Sequence, residues 1–288
     1  ILRSADGRRT LERVLEPTPL REAMRREKQQ QQQGDAMAAQ PRNNNATQIR
    51  KPDTEMTLRV FRYAPERTGE YRVEARPGMT VLDALVEIQR GQDPTLAFRY
   101  ACRVGMCGSC AMVVNGRERW ACRTLLASLE ADTVTVRPLY HFPLIRDLVV
   151  DMAPFAAKMR AVGAAFVPKG AEATFAAIGR SAKERRQIDG AVECIGCGAC
   201  LSACTMVAWN EGFAGPAALN RAFTLMADSR DGGGADRRPL LLSEDALLRC
   251  HGQANCTEVC PMELSPTDSI LKLRRKSMFD SSRAAVLA

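Results

Sequence analysis

Cys102, Cys107 and Cys110 stand as C-x4-C-x2-C, and eleven residues separate Cys110 from Cys122. Four thiolates at this spacing are the ligand set of a 2Fe-2S cluster. One short loop wraps such a cluster, and a later strand closes it from the far side. Gly105 and Gly108 fall inside the loop, where tight turns and close backbone approach to sulfide exclude a side chain. Backbone N–H groups in such a loop bond to sulfur and tune the redox potential. A zinc knot on the same four thiols is the alternative chemistry. Zinc sites present paired C-x2-C-like hooks, whereas this group has one hook beside a four-residue gap.

Cys194, Cys197, Cys200 and Cys204 follow as C-x2-C-x2-C-x3-C. In two-cluster bacterial ferredoxins the fourth Cys of such a run ligates the other cluster. The partner run is Cys250, Cys256 and Cys260, followed by Pro261; the position where a further Cys would fall is Gln253. Cys194, Cys197, Cys200 and Cys260 then complete a 4Fe-4S site. Cys204, Cys250 and Cys256 supply only three thiolates, which predicts a 3Fe-4S cluster. A fourth iron held by the Gln253 carbonyl is the alternative there. Every one of the eleven cysteines is used by these three sets, against only two histidines in the chain.

The elements that must position these groups change character along the chain. Residues 1–55 contain five consecutive Gln, three consecutive Asn and few large apolar residues, so they predict a disordered tail. The chain opens on Ile1, with Met37 and Met56 just ahead of the first strand pattern, and the tail is expected to lie outside the natural product. Residues 56–142 predict a small α+β domain. Thr57–Tyr63 and Tyr71–Ala75 alternate as strands; Thr80 and Asp83 form a capping box for a helix running to about Arg90. Ala111–Val114 and Arg117–Ala121 flank Asn115-Gly116 as a tight hairpin, and Thr133–Arg137 adds a strand. Residues 143–288 predict an all-α domain, with helical periodicity near 144–166, 171–179, 197–208, 215–228 and 244–250. Ser265-Pro266 opens a last helix, and Ser229–Arg238 reads as a surface loop.

A net charge of +8, spread without blocks, suits an acidic partner or an anionic surface. No nucleic-acid motif accompanies it. No apolar run is long enough to span a bilayer. An odd cysteine count, with no signal peptide and no twin-arginine signal, fits a reducing cytoplasmic compartment better than disulfide pairing.

Phe98–Cys110, Leu144–Leu148, Cys194–Asn210, Gly215–Ala218, Asp228–Asp231 and Arg249–Pro261 together resemble the iron–sulfur subunit of the succinate dehydrogenase/fumarate reductase family. The resemblance covers about residues 56–280. It implies a β-grasp ferredoxin domain followed by an α-helical ferredoxin domain, with a helix opening at Leu144. It also implies a partner flavoprotein with covalent FAD, where succinate and fumarate interconvert, and a quinone at a membrane anchor on the cytoplasmic face of the inner membrane. Electrons would run between FAD and quinone through the 2Fe-2S, 4Fe-4S and 3Fe-4S clusters, with no acid–base catalyst in this chain. Similar proteins hold quinone against a Trp and a His, which match Trp209 and His251; core packing for Trp209 and a local hydrogen bond for His251 are the plain alternatives. Thr205, Ala208 and Gln253 stand where the family usually carries Pro, Trp and an apolar residue. Two further readings keep the wire and change its ends: a soluble flavoprotein oxidoreductase with a non-quinone acceptor, and a free ferredoxin-type carrier. A zinc-stabilised interaction module is the reading from another class.

Overall fold

β1 (Thr54–Arg62) and β2 (Arg67–Ala75) pair antiparallel, with Met56, Leu58 and Val60 of β1 buried and Glu55 and Arg59 exposed between them. This is the period-2 alternation of a strand with one face on a core. The computed structural model describes residues 54–63, 67–170, 177–179 and 181–286. Residues 1–53 of the expected tail lie outside them, while Thr54 and Glu55 already belong to β1.

Helix α1 (Val81–Gly91) opens on the predicted capping box: Asp83 N donates to Thr80 Oγ1 and Thr80 N donates to Asp83 Oδ2, both at 3.1 Å. Its apolar face of Val81, Leu82, Leu85 and Ile88 is buried. β3 (Ala111–Val114) and β4 (Arg117–Trp120) form the expected hairpin, and Asn115 and Gly116 between them both take positive φ, +49° and +75°. β5 (Thr133–Arg137) runs parallel to β1 and antiparallel to β3, giving the sheet order β2-β1-β5-β3-β4. α1 and the sheet share one core.

Beyond this sheet the structure departs from the predicted helix at 144–166. β6 (Leu144–Arg146) and β7 (Val149–Val150) make a two-stranded hairpin, so the stretch from residue 143 is not helical throughout. Its turn residue Asp147 is buried and bonded to Arg62 and to the N–H groups of Tyr63 and Ala97, and Leu148 joins the sheet's core. The apolar run alone fits strand or helix; the carboxylate anchored against the first core decides for the hairpin.

α2 (Ala153–Ala161), α3 (Lys183–Val192), α4 (Ala199–Ser202), α5 (Thr205–Trp209), α6 (Pro216–Ala227), α7 (Gly234–Leu241), α8 (Asn255–Glu258) and α9 (Pro266–Val286) follow. α6 is buried over most of its length and is packed by α3 and α9, with α2, α4 and α7 around it. Ser265 caps α9, its Oγ accepting from Asp268 N. The predicted helix at 197–208 is broken at Cys204 into α4 and α5, and that at 244–250 is only a 3-10 turn, Leu247–Arg249. Most of the expected helix at 171–179 lies outside the described residues.

The loop expected at Ser229–Arg238 is corrected too. Asp231 and Arg237 pair at 2.8 Å with both side chains almost fully buried, and Arg237 also donates to Gly163 O and Ala165 O. Gly-rich, polar sequence hides this element because its partners are some 70 residues away.

The described residues form one compact unit. Ser202 Oγ of α4 donates to Glu118 Oε1 of β4 at 2.7 Å, and Arg117 donates to Glu258 O at 2.8 Å, tying sheet to helices. Asp93, bonded to the Thr95 hydroxyl, Tyr71 and Arg62, is held well below the usual carboxylate range. A carboxylate depressed on folding stabilises the protein above its unfolded pKa of about 4, and the gain is lost as pH falls below that value. The difference in Tm between wild type and Asp93→Asn is therefore expected to be full above about pH 5, to begin to narrow as pH falls through about 4, and to go on narrowing below about pH 3. A pH-independent difference would contradict it.

Candidate functional site

The first cysteine loop links α1 to β3, and Cys122 follows β4 by two residues. Three backbone N–H groups converge on Cys102 Sγ: Val104 at 3.5 Å, Met106 at 3.2 Å and Cys107 at 3.3 Å. Such donors stabilise negative charge on sulfur. Gly105 and Gly108 take φ of +77° and +71°, as the loop's tightness requires. Cys107 is exposed, and the Ser109 hydroxyl with nearby N–H groups pulls its thiol down to about 6. Cys110 is buried, and burial pushes its thiol up to about 12. The group thus presents thiols on both the solvent side and the core side.

Cys194, Cys197, Cys200 and Cys260 all line one pocket, walled by Ile195, Ala217 and Leu264. The first three come from the loop into α4 and the fourth from just beyond α8. Burial raises the thiols of Cys194, Cys197 and, most of all, Cys200. A metal that displaces these protons makes binding release them.

Cys204, Cys250 and Cys256 line a second cavity, together with His251 and Gln253. The Thr205 hydroxyl is hydrogen-bonded to Gln253 Oε1, and Cys256 Sγ lies 3.2 Å from Thr267 Oγ1. Arg274 of α9 tethers the segment by donating to the carbonyls of Leu247 and Cys250. The cysteines that the spacing groups are therefore brought together in the same groups. All eleven are free thiols. Among the described residues no set of three converges as ligands of a single ion would.

His251 lines the second cavity, whereas Trp209 at the end of α5 is 86% exposed and outside that lining. Core packing is thus not the role of Trp209. Two residues carried no signal in the cysteine spacing. Lys158 of α2 donates to Glu211 O and Phe213 O, with its charge felt at Cys204. Trp120, at the end of β4, is buried against Gly105 of the first cysteine loop.

The chain matches the model of a 2Fe-2S iron-sulfur cluster binding domain over residues 57–157 and that of a 4Fe-4S dicluster domain over residues 190–264. The mitochondrial succinate dehydrogenase [ubiquinone] iron-sulfur subunit of Candida glabrata is 35% identical over 232 residues, 78% of this chain and 92% of the relative. The chain belongs to the succinate dehydrogenase iron–sulfur subunit family. Another such subunit, from Dictyostelium discoideum, is 38% identical over 244 residues, covering 78% of this chain and 83% of the relative. Among solved structures, a chain of the Mycobacterium smegmatis Sdh1 complex in the apo form superposes with a TM-score of 0.71 at 31% identity, over 78% of this chain and 96% of that one. As a succinate dehydrogenase iron–sulfur subunit, the chain is the electron-transfer component of an oxidoreductase. Among its described residues no helix is long and apolar enough to cross a membrane.

Proposed function

We propose that this subunit carries electrons between an FAD-containing flavoprotein, where succinate and fumarate interconvert, and quinone at a membrane-anchor subunit. In this reading Cys102, Cys107, Cys110 and Cys122 hold a 2Fe-2S cluster. Cys194, Cys197, Cys200 and Cys260 hold a 4Fe-4S cluster, and Cys204, Cys250 and Cys256 hold a 3Fe-4S cluster. The observation that carries it is the sorting of eleven thiols into a three-thiol loop with Cys122 beyond β4, a four-thiol cavity and a three-thiol cavity with Gln253 in its lining. When bound, the clusters supply one-electron redox centres. The chain's own residues do the rest. N–H groups of residues 104, 106 and 107 bond Cys102 sulfur, and the apolar wall of the second site keeps water away from its thiolates. The sheet of residues 56–142 is the β-grasp domain, and the helices after residue 143 form the second. Val104 and Met106, exposed at the tip of the first loop, suit docking of the flavoprotein. Exposed Trp209, with His251 beside Cys250, suits contact with quinone and the anchor on the cytoplasmic face of the inner membrane.

A second reading, a soluble complex with another acceptor, is favoured by one observation. Thr205 and Gln253, hydrogen-bonded at the third site, are polar where the family usually carries Pro and an apolar residue. Affinity purification from the native host, with subunit identification and EPR, separates the two. The first reading expects a flavoprotein, a membrane anchor, an oxidised three-iron signal and about nine irons per chain. No co-purifying flavoprotein, or zinc in place of iron, would overturn it.

Gln253→Cys offers the third site a fourth thiolate. Its oxidised three-iron EPR signal is expected to fall by at least half as a reducible four-iron signal replaces it. An unchanged signal would count against Gln253 as the vacant corner.

A further inference from the structure

Asn220 of α6 is 1% exposed and lines the pocket shared by Cys194, Cys197, Cys200 and Cys260. Ala217, three residues earlier on the same helix, lines it too, so one face of α6 forms this wall. In that lining Asn220 is the one side chain that carries nitrogen or oxygen. Its own hydrogen bond fixes which way the amide lies: Nδ2 donates to Ala191 O at 2.9 Å. A backbone carbonyl only accepts, so the nitrogen must be the atom that meets it. Ala191 lies in the last turn of α3, where a helix leaves carbonyls without an intrahelical donor. Capping α3 thus accounts for Nδ2. It does not account for Oδ1, which is buried and has no hydrogen-bond partner. A buried amide oxygen ordinarily finds a donor. Here it is the polar atom that Asn220 has left to present to the pocket.

We propose that Asn220 lowers the reduction potential of the second cluster site by holding its amide oxygen towards the group that the four cysteines bind. This rests on the assignment of those cysteines to the 4Fe-4S cluster. The consequence follows from charge. The amide oxygen is the negative end of a fixed dipole, and reduction adds one negative charge to the cluster. In a wall that is otherwise apolar little screens the two from each other, so the oxygen disfavours the reduced state. One side chain of α6 therefore does two things. It ties down the end of α3 three residues before Cys194, and it makes the second site a weaker electron acceptor.

The test uses the purified complex and two variants that both lose the bond to Ala191 O. Asn220→Leu replaces the amide with an apolar chain of similar size, whereas Asn220→Asp keeps oxygen at the same place. At a fixed poise near the wild-type midpoint, EPR gives the ratio of reduced to oxidised four-iron cluster. In Asn220→Leu this ratio is expected to rise about tenfold, equal to about 59 mV for a one-electron couple. In Asn220→Asp it is expected to equal the wild-type ratio or fall below it. Loss of the helix cap alone would move both variants the same way. A ratio in Asn220→Leu no higher than in wild type, or a rise in both variants, would overturn the proposal. Should the variants lose the cluster, a further measurement leaves Asn220 in place. Wild-type complex carrying 13C in its asparagine amide carbons is expected to show a 13C coupling on the reduced four-iron signal, and its absence overturns the proposal. Unaltered complex lacking any reduced four-iron signal would overturn the ligand assignment itself, and this role with it.

Discussion

Replacing Gly108 by Ala is expected to empty the second cysteine site of much of its iron and to lower Tm by roughly 4–20 °C. Two costs combine at this position. Gly108 sits at φ +71°, which costs a residue with a Cβ about 1–2 kcal/mol. The new methyl would then stand 2.6 Å from Cys197 Cβ, 3.0 Å from Cys197 Cα and 3.3 Å from Ile195 Cδ1. The nearest of these atoms are the Cβ and Cα of Cys197, which cannot swing aside as the end of a flexible side chain can, and overpacking of this kind costs about 1–3 kcal/mol. Together that is about 2–5 kcal/mol, at roughly 2–4 °C per kcal/mol for a protein of this size. Gly78→Ala is the control: φ there is +78°, with nothing within 4 Å of the added Cβ. Iron and acid-labile sulfide per chain, with Tm, are the measurements. If the two variants lose iron and stability equally, close approach of the first loop to Cys197 is not what Gly108 provides.

Asp147→Asn is expected to destabilise the protein by about 3–5 kcal/mol, the range for removing one charge of a buried pair. Asp147 is 2% exposed; its Oδ1 accepts from Arg62 Nε and Tyr63 N, both at 3.0 Å, and its Oδ2 from Ala97 N at 2.9 Å. An amide in its place turns one acceptor into a donor facing N–H groups and leaves buried Arg62 with Asp93 as its remaining carboxylate. Burial works against the charge on Arg62, but its bonds to Tyr71, Asp147 and Asp93 outweigh it and keep the guanidinium protonated. Asn tolerates the left-handed φ of +46° at this turn, so backbone strain is not what changes. Arg59–Glu70 is the comparison, at 2.8 Å but with both side chains more than half exposed. Solvent-screened pairs contribute about 0–1 kcal/mol, so Glu70→Ala should move Tm by no more than a few degrees. Equal shifts for the two variants would remove Asp147 as the anchor of the β6–β7 hairpin.

Features whose causes are local were legible in the order of residues alone. Cysteine spacing sorted the thiols into the same three groups that share a loop or a cavity. Thr80 and Asp83 announced the start of α1, Asn115-Gly116 the hairpin and Ser265-Pro266 the start of α9. Each depends on residues within a few positions of one another, where backbone sterics and hydrogen-bond reach leave few choices. Features that rest on partners far apart in the chain became visible with the folded arrangement. Leu144–Val150 is a hairpin because Asp147 meets Arg62 across 85 residues, and Gly234–Leu241 is a helix with Arg237 and Asp231 buried on Gly163 and Ala165. The exposure of Trp209, the contact of Gly108 with Cys197 and the unpaired indole of Trp120 belong to the same class. Periodicity and spacing record what a segment does with its neighbours; burial and charge pairing between distant segments exist only once the chain has closed on itself.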